Sequence, residues 1–156
     1  MDEQHDLANR IAAAAQRQEV HLAVAESLTG GLVASRLAAA PDASTWFRGA
    51  VVAYAREVKH ELLQVPAGPV VSEAAAAAMA TSVAALLGAQ VSLAVTGVGG
   101  PGTQDDQAPG TVWLAVYRGD RPHTHLHRFE DDGDPAAICQ QACAAALRLL
   151  ADTLGA

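Results

Sequence analysis

The spacing of apolar positions changes along the chain, and each change marks an element. Leu7, Ile11, Ala14 and Ala15 recur at helical intervals and predict an amphipathic helix over 3–18. The continuous apolar run 22–25 predicts a buried strand. Glu26 and Ser27 interrupt it, and Thr29, Gly30 and Gly31 form a tight turn. Leu32, Val33 and Leu37 then restore helical spacing to about Ala40. A loop over 41–46 leads to a second strand over 47–54, in which Gly49 marks a bulge or close approach. A short helix over 55–63 and a proline- and glycine-bearing connection over 64–71 come next.

Ser72 is placed to cap an alanine-rich helix that runs to about Leu87 and closes at Gly88. The apolar run 91–95 has no polar alternation and predicts a central strand. The glycine- and proline-rich stretch 96–110 predicts a long loop, a kind of segment that is usually functional or disordered. Strands over 111–117 and 123–129 form a hairpin through 118–122. Asp134 and Pro135 supply an N-cap and a first-turn proline for a last helix presenting Ile138, Ala142, Ala145, Leu149 and Leu150. Helices alternating with strands and then a hairpin imply an α/β domain over 1–156, with a mixed sheet of about five strands covered on both faces.

Composition narrows the function classes. The chain of 156 residues is 51% hydrophobic but only 4% aromatic, so close helix–sheet packing through alanine is expected. A net charge of -7 opposes a nucleic-acid partner, which would need a basic face. No apolar run is long enough to cross a bilayer, and the N-terminal stretch is acidic, so no membrane partner is expected and the cytoplasm is the expected location. Cys139 and Cys143 lie four apart on a predicted helix and read as small core residues rather than a disulfide framework.

Candidate chemistry gathers at the strand ends. Ser27 falls where a strand turns into a helix, a place whose backbone donors favour a phosphate or an oxyanion; alternatively Thr29 simply caps that helix. Tyr54 and Lys59 on a single helix would point about 140° apart. With Tyr54 at a strand end and Lys59 beyond it, both reach the sheet rim and meet Ser27 if the first two strands are parallel. A lysine desolvated enough to act as a base activates a serine nucleophile. The segment from Thr96 to Gly102 contains G-x-G-x-x-G, but Pro101 and the residues after it open no helix. That excludes the dinucleotide fingerprint and leaves a backbone cradle for an anion. His123, His125 and His127 share one strand face; a polar edge strand explains them as well as zinc does, and no metal is assigned.

Taken in order, AESLTGG, GAVVAYAREVKHELLQV, VSEAAAAAMA, LAVTGVGGPG and PGTVWLAV resemble the CinA C-terminal domain family over roughly residues 5–150. Its members are nicotinamide mononucleotide amidohydrolases, and longer relatives carry an additional N-terminal domain. The resemblance implies a three-layer α/β/α sandwich on a mixed, mostly parallel sheet, and a homodimer. It implies hydrolysis of the carboxamide of a small-molecule nucleotide to the acid and ammonia, with no cofactor or metal. Ser27 would be the nucleophile, Lys59 its base and Tyr54 an aid to proton transfer. Thr29, Gly30, Gly31, Thr96, Gly97, Gly99 and Gly100 would bind substrate. Two alternatives are a silent paralogue that binds a nucleotide or partner without turnover, and an amidase for another pyridine carboxamide.

The chain departs from the family pattern in three places. Leu28 stands where the family commonly has cysteine, and the connection before Val71 is shorter than usual. Pro135 and Cys139 stand where the family typically has arginines able to grip a phosphate; Arg36 and Arg128 are candidate substitutes.

Overall fold

A computed structural model describes residues 2–130 and 133–156. The elements in chain order are α1 (Glu3–Gln18), β1 (Leu22–Glu26), α2 (Leu32–Ala38), α3 (Ala43–Trp46), β2 (Phe47–Val52) and α4 (Arg56–Glu61). They continue with α5 (Glu73–Leu87), β3 (Val91–Gly97), β4 (Thr111–Tyr117), β5 (His123–Arg128) and α6 (Pro135–Leu154).

The strands form one sheet in the order β2-β1-β3-β4-β5. β1 pairs in parallel with β2 and β3, whereas β3–β4 and β4–β5 are antiparallel. The sheet is therefore mixed and mostly parallel: β2, β1, β3 and β5 run one way and β4 alone runs against them. Strand β3 is buried along its whole length, as its unbroken apolar run predicts. The register of β1 on β2 skips a residue between Phe47 and Gly49, which places the anticipated bulge.

The two faces of the sheet differ in side-chain size, and that difference sets the layers. Leu22, Val24, Leu93, Val95, Val112 and Leu114 point to one side and pack with Leu7, Ile11, Leu37, Ile138 and Leu147 from α1, α2 and α6. The other side presents Ala23, Ala25, Ala94 and Ala115. Over these alanines the alanine-rich α5 inserts Met79 and Val83, with Val51, Trp113 and Tyr117 packed around them. Full burial of each such larger side chain stabilises by about 1.5–3 kcal/mol. Ser92, buried on this face, donates its hydroxyl to the Ala80 carbonyl of α5 at 2.6 Å. The result is the three-layer α/β/α sandwich.

Beside shifts of one or two residues at element ends, such as β2 closing at Val52, two differences from the sequence expectation stand out. The loop over 41–46 contains the single turn α3, where buried Trp46 donates its indole N–H to the Pro41 carbonyl at 3.0 Å. One turn is too short to show a period. Thr96 and Gly97 belong to β3 rather than to the loop, because they pair with Trp113 and Val112 of β4. Among the described residues, no helix is long and apolar enough to cross a membrane.

Candidate active site

Parallel pairing puts the carboxyl ends of β1, β2 and β3 on one edge of the sheet, where open α/β sheets bind ligands. A cavity of about 180 Å³ opens there. Ser27 enters it just after β1, Tyr54 just after β2, and Lys59 from α4. Gly97, Gly99 and Gly100 line it from the end of β3 and the following loop, together with Leu28, Pro135 and Cys139.

Ser27 is 3% exposed, and its hydroxyl makes no hydrogen bond among the described residues. Lys59 is 2% exposed and has neither a hydrogen bond nor an ion pair there. Burial, and then the charge of Arg56, hold its pKa below the usual lysine value, with Asp105 opposing the shift. No hydrogen bond joins Ser27 to Lys59; both line the same cavity. Tyr54 is 73% exposed and stands at the rim. The Leu28 amide, next to the serine, donates to nothing among the described residues and is available to a developing oxyanion.

The other expected substrate-binding residues are placed elsewhere. Glu26, fully buried at the end of β1, turns its carboxylate into the turn beneath Ser27. One oxygen accepts the Thr29 hydroxyl at 2.6 Å and the Gly31 and Val33 amides at 3.2 and 3.1 Å. The other accepts the Ala34 amide at 2.8 Å. The Gly30 amide donates to the Ser27 carbonyl at 3.0 Å. The Thr29 hydroxyl and the Gly30 and Gly31 amides are thus already used, and Thr29, Gly30 and Gly31 do not line the cavity. Thr29 does not cap α2 directly either; Glu26 does. Thr96 is fully buried and donates its hydroxyl to the Val70 carbonyl at 2.6 Å, behind the cavity wall.

Asp105, within the glycine- and proline-rich stretch 96–110, ties the cavity loop down. It accepts Arg56 at 2.7 Å and the Val70 and Val71 amides at 2.8 and 3.0 Å. Burial raises its carboxyl, but the Arg56 hydrogen bond and the two amides outweigh burial and leave its pKa below the usual carboxylate value. Neither Asp105 nor Glu26 stands out in the sequence as a site residue. The one signal is at Gly31, an N-cap with no side chain to cap its helix, which demands an acceptor from nearby.

Cys143 is buried among core residues as expected, and burial pushes its thiol up to about 12. Cys139 lies on the cavity instead, with its thiol on the Leu28 carbonyl at 3.0 Å. Arg36 is bound to Gln4, and Arg128 belongs to β5; neither reaches the cavity. Among the described residues, no group of three or more histidine, cysteine or carboxylate side chains is placed to hold a metal, the three β5 histidines included.

A model of the CinA C-terminal domain family matches residues 4–154. The chain belongs to that family. A CinA-like protein of Frankia casuarinae is 45% identical over 134 residues, covering 83% of this chain and 30% of its own length. A putative competence-damage inducible protein of Lactiplantibacillus plantarum is 38% identical, covering 87% of this chain and 33% of its own. The chain thus spans about a third of the curated relatives it matches. A CinA superfamily protein from Klebsiella pneumoniae, solved by crystallography, superposes with a TM-score of 0.90 at 35% identity over 99% of both chains. A competence/damage inducible protein from Agrobacterium tumefaciens gives 0.91 at 28% identity over 100% of this chain and 98% of its own.

Proposed function

We propose that this CinA domain is an amidohydrolase acting on the carboxamide of nicotinamide mononucleotide or a related pyridine carboxamide. The observation that supports this reading is the meeting of Ser27 with a buried Lys59, without a hydrogen bond or ion pair among the described residues, in one cavity. Neutral Lys59 takes the Ser27 proton as Oγ bonds to the amide carbon, and the Leu28 amide stabilises the oxyanion. The carbon–nitrogen bond then breaks, the lysine returns the proton to the leaving nitrogen, and ammonia departs. Water, deprotonated by the same lysine, attacks the acyl-serine; the carbon–Oγ bond breaks, the lysine passes that proton to Ser27 Oγ, and the carboxylate leaves. Tyr54, at the rim, assists transfer of the proton to the leaving group.

Ammonia release from nicotinamide mononucleotide and from its riboside, with Ser27→Ala as control, tests the reading. Release that falls at least a thousandfold in the variant supports it. A folded protein that binds either compound and releases no ammonia belongs to the silent, binding-only class instead. A cytoplasmic homodimer completes the proposal. β2 is a sheet edge with exposed Val52 at its end and exposed Tyr54 just after it, and light scattering of the purified chain would read the dimer mass.

A further inference from the structure

The chain has ten lysines and arginines, and Lys59 alone lines the cavity. Arg56, the nearest other cation on the same helix, is taken up by Asp105 and by the Gly68 carbonyl at 3.2 Å. Arg36 is held by Gln4, and Arg48 by the Leu87 carbonyl at 2.9 Å. The remainder belong to α1, to the β4–β5 hairpin and to α6 beyond its first turns. Among the described residues, no histidine lines the cavity.

The helix ends beside the cavity are also filled by the protein's own carboxylates. Glu26 accepts the amides that open α2. At the start of α6, Asp134 accepts the Ala136 amide at 3.0 Å, and Pro135 has no N–H to offer. One turn further on, Cys139 turns its thiol to the Leu28 carbonyl. The α6 wall therefore presents a proline ring and a thiol backed by negative charge. A phosphate dianion placed there would meet backbone dipoles of the glycine loop, but no charge to neutralise it. The single lysine must be neutral to act as a base.

We infer that this cavity takes a pyridine carboxamide that carries no phosphate, a nucleoside rather than a nucleotide, and that Pro135 and Cys139 set that preference. The inference rests on the amidohydrolase reading and narrows its substrate class.

The test compares nicotinamide riboside with nicotinamide mononucleotide on the intact protein, by ammonia release and, in parallel, by calorimetric titration. The expected result is a kcat/KM at least tenfold higher for the riboside. A smaller preference, or any preference for the mononucleotide, overturns the inference and leaves the amidohydrolase reading standing. If neither compound yields ammonia, the amidohydrolase reading falls, and titration still decides the preference. Riboside binding tenfold tighter supports it; equal or tighter mononucleotide binding, or no binding of either, overturns it. Cys139→Arg places a guanidinium on the wall and should raise the mononucleotide-to-riboside ratio at least tenfold. An unchanged ratio in the folded variant removes Cys139 from the account of specificity.

Discussion

Replacing Glu26 with glutamine should destabilise the domain by about 2–4 kcal/mol. One carboxylate oxygen holds Thr29, Gly31 and Val33, and the other holds Ala34. Glutamine can keep its oxygen toward the first three. Its amide nitrogen must then face the Ala34 N–H, donor against donor, in a site with no exposure. Losing that bond and stranding the amide costs about 1–3 kcal/mol, and removing the charge weakens the other three by roughly another 1 kcal/mol together. For a domain of this length each kcal/mol lowers Tm by about 2–4 °C, so the midpoint should fall by roughly 4–16 °C. Urea unfolding should show a lower midpoint at unchanged slope, because the surface exposed on unfolding is the same. A variant that melts within about 1 °C of the parent, well inside the shift expected from even the weakest of these losses, would refute the view that this carboxylate holds the turn.

Two other substitutions probe the site and its wall. Arg56→Met removes a cation that depresses the Lys59 pKa and leaves Asp105 facing the lysine without its partner. Since the proposed base works neutral, activity rises with pH through the Lys59 pKa, and the rising limb of the kcat profile should move to higher pH. A limb that stays put or moves down would contradict the assignment of Lys59 as base. In Gly97→Ala the new methyl would lie 2.8 Å from the Thr111 carbonyl oxygen and 2.8 Å from a Val112 methyl. Forcing β3 and β4 apart should cost about 1–3 kcal/mol, read as a lower calorimetric midpoint, and an unshifted midpoint would show that the strands give way freely.

The fold was legible wherever a local pattern carried it. The period change at Leu22 located β1, the unbroken run at Val91 located central β3, and Ser72 and Asp134 cap α5 and α6 as their positions predict. The convergence of Ser27, Tyr54 and Lys59 on one edge depended on β1 and β2 being parallel, and they are. The allocation of hydrogen bonds could not be read. A turn rich in amides looks like a ligand site until its acceptor is known, and Glu26 is that acceptor. Asp105 reaches amides 34 and 35 residues away, a separation no sequence window registers. Thr96 looked like a loop hydroxyl because β3 runs on through residues with weaker apolar character, held by pairing to β4 rather than by its own pattern.

The charges around the cavity explain how a lysine can lie buried there without a counter-ion. An acidic partner for Lys59 would hold the amine protonated and useless as a base. The acid nearest in function, Asp105, gives its hydrogen bonds to Arg56 and two amides, and Glu26 commits both oxygens to the turn. Neither carboxylate hydrogen-bonds the lysine; Asp105 still raises its pKa through space, and burial and then the like charge of Arg56 outweigh that pull. The same assignments draw the neighbouring cation away from the cavity. The lowered Lys59 pKa and the lack, among the described residues, of a second cation lining the cavity thus arise from one distribution of partners, so the pH profile of Arg56→Met and the proposed nucleoside preference test a single arrangement from two directions.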